Sequence, residues 1–175
     1  MEEGGKIAIC DHCPSFTSEE AFSSNASQDE VFYTSIVPLL ARVIEGFNAS
    51  VLAYGQTGTG MTYTMRLGAN TNLEQEGILP QAVQQLFTQK NIAQKKKKLD
   101  LTISTTFVEI YQDDVIDLLQ LKSLVQRKKV KGEKILLKQE KEACKLKIYE
   151  EKGKTKLKGV LSERWDTATE ILSQI

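Results

Sequence analysis

Residues Gly55 to Thr62 read G-Q-T-G-T-G-M-T, and they fit the phosphate-cradling pattern G-x-x-x-x-G-K-[ST] at every required position but one. Where that pattern has lysine, this chain has Met61. An apolar, strand-like run, Ala49-Ser50-Val51-Leu52-Ala53-Tyr54, precedes the octet, and Thr62-Tyr63-Thr64-Met65 carries it into a helix-compatible stretch. A strand, a glycine loop and a helix in that order are the setting such a loop requires. Gly55, Gly58 and Gly60 allow left-handed backbone and let amides approach an anion. The following helix points its positive end at the same place, and the Thr62 hydroxyl is the type of group that holds Mg²⁺. Met61 brings neither charge nor donors, so the nest is expected without its principal cation.

The surroundings of the octet narrow the choice. Gly46 to Met65, G-F-N-A-S-V-L-A-Y-G-Q-T-G-T-G-M-T-Y-T-M, closely resembles the kinesin motor-domain signature. Ala26-Ser27-Gln28-Asp29-Glu30-Val31-Phe32 resembles the segment that opens the preceding helix in that family. Glu76-Gly77-Ile78-Leu79-Pro80, Phe107 to Tyr111 with Asp117-Leu118-Leu119, and Lys158 to Glu163 are similar to three further family blocks, in the same order. The resemblance implies an α/β fold of the P-loop NTPase type, a mixed central sheet flanked by helices and incomplete on its C-terminal side. It also implies ATP and Mg as cofactors and microtubules (tubulin) as partner. The nucleotide site it implies is Gly55, Gln56, Thr57, Gly58, Thr59, Gly60, Met61, Thr62 and Tyr63, with Thr62 toward Mg and Tyr63 where the family sets a ring against adenine.

This chain also departs from the family. Lys6 to Pro14 reads K-I-A-I-C-D-H-C-P in place of R-x-R-P, and neither N-x-x-S-S-R-S-H nor D-L-A-G-S-E occurs. Residues 1–15 therefore read as a degraded N-terminal segment and 16–175 as a partial motor domain. With Met61 as well, hydrolysis is expected to be lost and no catalytic residue is assigned. The alternatives are a non-hydrolysing pseudo-motor that still holds nucleotide or microtubules, or a truncated product without function.

The chain's 175 residues allow one domain, and 41% hydrophobic with 26% charged residues is ordinary for a globular protein. No apolar run reaches the ~18 residues of a membrane span, and the acidic start Met1-Glu2-Glu3 is unlike a signal peptide. Three cysteines form no even disulfide framework and suit a reducing compartment. A cytoplasmic protein is expected, microtubule-associated as the resemblance implies, with neither membrane nor nucleic acid as partner.

Formal neutrality hides an asymmetry. Residues 1–90 carry 4 Lys/Arg against 10 Asp/Glu, whereas 121–158 carry 14 against 5. Solvated loops explain such runs. In the resembled family, however, the corresponding hairpin region faces the acidic microtubule, and a basic field there would steer docking. Tyr149 is the only aromatic of 121–158, which argues against nucleic acid.

Local signals place the elements. Ser27 and Glu30 form a capping pattern, and Phe32, Ile36, Leu39, Val43 and Phe47 predict one buried stripe on a helix bent by Pro38 and stopped at Gly46. Pro80 to Gln89 predicts a second helix, with Lys95–Lys98 beyond it as linker. Leu99 to Ile110 predicts a strand, Asp113 a cap for a short helix, and 119–145 an extended loop or fraying helix. A hairpin is expected around Lys152-Gly153, and a final helix from Asp166. Cys10, His12 and Cys13 offer too few ligands for a structural zinc site, and Asp113, Asp114 and Asp117 suit capping better than acid–base chemistry.

Overall fold

The computed structural model describes residues 6–7, 16–65, 76–97 and 101–174. The chain divides into two compact units, Met1–Ile92 and Ala93–Ile175.

In the first unit, strand β1 (Lys6–Ile7) pairs antiparallel with β2 (Phe16–Thr17). Helix α1 (Gln28–Val31) starts at Ser27, whose side chain accepts the Glu30 amide at 3.0 Å, as the capping pattern predicts. A π-helical turn, Phe32–Ile36, leads into α2 (Val37–Ile44). Its cause is Pro38, which has no amide to donate; the Val37 N–H reaches back to the Phe32 carbonyl, five residues away.

The π turn changes which face is buried. Phe32 and Ile36 are buried with Ile78, but Leu39, Val43 and Phe47 are exposed. A continuous α-helix would have kept all five on one stripe. One extra residue per turn shifts the phase by about 100°, so the second half of the stripe turns away from the core. Gly46 ends the helix at φ +98°, with its amide on Val43 at 2.9 Å, and Arg42 lies 4.0 Å over the Phe47 ring.

The run Ala49–Tyr54 forms no strand, which corrects the expectation from its apolar composition. Leu52 is 89% and Tyr54 100% exposed, and among the described residues no strand pairs with this segment. A buried central strand exists only where neighbours take up its amides and carbonyls, and none does so here. Helix α3 (Met61–Met65) follows the glycine loop.

Helix α4 (Ile78–Lys97) is longer than the sequence predicts at both ends. Pro80 sits in its first turn, and Gln, Ala and Lys, all good helix formers, carry it through Lys95–Lys97. Lys98 lies outside the described residues.

In the second unit, β3 (Ile103–Thr105) pairs with β8 (Glu163–Trp165), and β4 (Val108–Tyr111), β5 (Asp114–Asp117), β6 (Lys145–Glu151) and β7 (Lys154–Lys158) form an antiparallel sheet in that order. The single strand expected over 99–110 is thus two strands in two sheets. The hairpin at Lys152-Gly153 forms as expected, with φ of +52° and +71°, the left-handed pair that suits the twist of a tight hairpin.

Three local expectations are corrected. Asp113 lies in the β4–β5 turn, because Val115 and Ile116 pair with Ile110 and Glu109 and continue the sheet. The cap is Asp117, and it opens α5 (Leu118–Val130). The lysine-rich stretch is not a loop: α5 is followed by α6 (Leu137–Ala143), and Lys128 joins the two through Glu140 at 2.6 Å. The last helix, α7 (Ala168–Gln174), starts after Thr167 and not at Asp166. The Thr167 hydroxyl accepts the Glu170 amide, and the Glu170 carboxylate accepts the amides of Asp166 and Thr167.

Candidate functional site

The glycine loop is built by its own backbone. Gly58 and Gly60 have φ of +92° and +90°, a region that residues with a side chain rarely adopt. The Thr59 amide and hydroxyl both donate to the Gln56 carbonyl, at 3.2 and 2.9 Å, which folds the loop on itself. Gly55 admits no side chain, since a Cβ there would stand 2.4 Å from the Thr59 hydroxyl. The Thr64 amide then donates to the Gly60 carbonyl at 2.9 Å and starts α3.

This arrangement leaves a set of unused donors. The amides of Gly58, Gly60, Met61 and Thr62 donate to no acceptor among the described residues. Thr62 and Tyr63 are exposed, and Met61 is half-buried. The donors suit an oxyanion such as a phosphate, and the Thr62 hydroxyl suits a hard cation beside it. The loop offers no lysine or arginine of its own. Among the described residues no group of three or more His, Cys, Asp or Glu could hold a metal ion. Cys10, His12 and Cys13 lie outside the described residues.

One supporting residue escaped the sequence reading. Gln28 is buried, and its Nε2 donates to the Tyr63 carbonyl at 2.7 Å, tying α1 to the end of α3. A polar residue on the apolar face of a helix was the available signal. In the second unit, Asp117 is fully buried; one oxygen accepts the Gln120 amide at 3.0 Å and the other the Leu161 amide at 2.7 Å. Asp117 therefore holds the fold, and Asp114 pairs with Lys145 at 2.9 Å.

The kinesin motor domain family model matches residues 8–175. This chain belongs to the kinesin motor-domain family. It is 41% identical over 128 residues to the mouse (Mus musculus) kinesin-like protein KIF27, covering 70% of this chain but 9% of that relative. The structure of a fast kinesin superposes with a TM-score of 0.75 at 25% identity, covering 98% of this chain and 42% of that one. The α/β fold with a mixed central sheet flanked by helices is the fold shared with that structure; the regular pairings among the described residues are antiparallel. Drosophila Kin10/NOD in complex with divalent manganese and ADP gives a TM-score of 0.61 at 36% identity, over 68% of this chain and 41% of that one. The same protein also appears, nucleotide-free, complexed to the microtubule.

Proposed function

We propose that this chain is a cytoplasmic, cytoskeletal kinesin-type module that binds ATP with Mg at Gly55–Tyr63 and binds microtubules, and that has lost efficient hydrolysis. The observation that carries the reading is the loop itself, with free amides at Gly58, Gly60, Met61 and Thr62, in a member of a motor family, and methionine at the lysine position. The amides would take the phosphates, Thr62 the Mg, and Tyr63 the base. When bound, Mg neutralises charge on the phosphates, and family catalysis is electrostatic stabilisation of that charge. Met61 cannot contribute to it, and losing one positioned transition-state contact typically slows such chemistry ~10²–10³-fold.

The test is a titration of wild type and Met61→Lys with a fluorescent ATP analogue and Mg. A charge-assisted hydrogen bond is worth about 1.5–3 kcal/mol, so the lysine variant should bind about ten- to a hundredfold more tightly. Equal affinities would show that nucleotide, if held, is not held by this loop.

A further inference from the structure

The turn joining α5 to α6 has a chemistry that the nucleotide site and the hairpin do not use. Several lysines of this unit are committed: Lys141 to Glu109 at 2.6 Å, Lys145 to Asp114 at 2.9 Å and Glu142 at 2.7 Å, and Lys122 to the Ser173 carbonyl at 2.5 Å; Lys147, Lys152, Lys154 and Lys158 of the β6–β7 hairpin have no acidic partner among the described residues. Arg127, Lys129, Lys131, Lys134 and Lys138 are all exposed, and none has an acidic partner among the described residues. Lys128 alone is paired, to buried Glu140, and that pair holds the two helices together so that the other charges are carried on a fixed element. Glu133 is the only acid from 126 to 138.

Between these cations stand bare aliphatic side chains. Val130 is 89%, Leu137 61% and Leu136 42% exposed. Gly132, at φ +68°, reverses the chain, with its amide on Lys129 and the Glu133 amide on Lys128. Three aliphatic residues around one helix-ending turn, ringed by unpaired cations and without any aromatic, match one surface best. Aromatic stacking is what a single-stranded nucleic acid requires, and an acidic peptide gives no reason for exposed Val and Leu. An anionic bilayer answers both features: charge draws Lys and Arg to its headgroups, and the apolar boundary beneath accepts aliphatic side chains.

We propose that the α5–α6 turn is a peripheral docking surface for an anionic lipid bilayer, with Val130, Leu136 and Leu137 entering the headgroup region and the surrounding basic side chains on the phosphates. The expectation of no membrane partner rested on the lack of a spanning segment, and peripheral docking needs none.

The experiment is flotation of the full chain with vesicles of phosphatidylcholine alone and of phosphatidylcholine mixed with phosphatidylserine. Binding should require phosphatidylserine and weaken with salt. Arg127→Ala with Lys129→Ala and Lys131→Ala should weaken it about a hundredfold, the effect of removing three surface cations near an anionic leaflet. Leu136→Ser with Leu137→Ser should weaken it about tenfold with every cation in place. In Val130→Trp, fluorescence should shift to the blue when the mixed vesicles are added. Equal flotation with both vesicle types, or no spectral shift, overturns the proposal. Loss in the basic variant alone, with full competition by polyglutamate, overturns it in favour of an acidic polypeptide. Far-UV circular dichroism of each variant confirms that losses do not come from unfolding.

Discussion

Asp117 shows how much one side chain can settle. It is 0% exposed, caps α5 through the Gln120 amide and holds the Leu161 amide that leads toward β8, and its own amide donates to the Cys144 carbonyl at 3.0 Å. Replacing it with alanine leaves two amides without their acceptor and removes a helix cap. The expected loss is about 2–4 kcal/mol by urea denaturation; Asp117→Asn should fall between, since its amide nitrogen can serve neither donor. A loss below measurement error would show that water replaces the carboxylate. Cys144, 1% exposed, is pushed up from its ordinary thiol pKa by burial first and then by Asp117 and Glu140. Above the ordinary thiol range, the unfolded chain has lost a proton that the folded chain keeps. Stability should therefore fall as pH rises through that window, and it should be insensitive to this group below it. Comparing wild type with Cys144→Ala across alkaline pH isolates the effect, which vanishes if both lose stability in parallel.

At the scale of elements, the helix ends decide what forms. The Thr167–Glu170 box fixes the start of α7, and hydrogen bonds from the Thr167 and Asp166 amides hold the Glu170 carboxyl below its ordinary range. A lowered folded pKa means stability that is present above the ordinary carboxylate range and lost as pH falls through the folded value. Helix α7 should fray in acid, and amide exchange at Ile171 should report it; unchanged exchange in Glu170→Gln would falsify the assignment. Gly132 ends α5 in the left-handed region, so Gly132→Ala should cost about 1 kcal/mol. The π turn was not legible, although Pro38 was. A proline predicts a disturbed helix, but whether the chain bends or admits an extra residue depends on which side chains must reach the core.

For the whole molecule, the exposed run Val51–Tyr54 is the main liability. An apolar segment with free backbone groups invites pairing between copies. The chain should aggregate on concentration, and Leu52→Lys should raise the concentration at which light scattering appears. A monomeric wild type with a sharp, reversible unfolding transition would contradict this. The glycine loop, the Ser27 cap, the Gly46 stop and the Lys152-Gly153 hairpin were all readable in the sequence, because each depends on residues within a few positions of one another. The family was readable for the same reason, as ordered local blocks. Tertiary structure alone decided that Leu39, Val43 and Phe47 face away from the core, that Gln28 braces α3, that buried Asp117 holds the Leu161 amide, and that Ala49–Tyr54 is no strand. Each of these turns on a partner distant in sequence or on a phase shift carried along a helix, and composition and spacing carry no record of which distant groups come within reach.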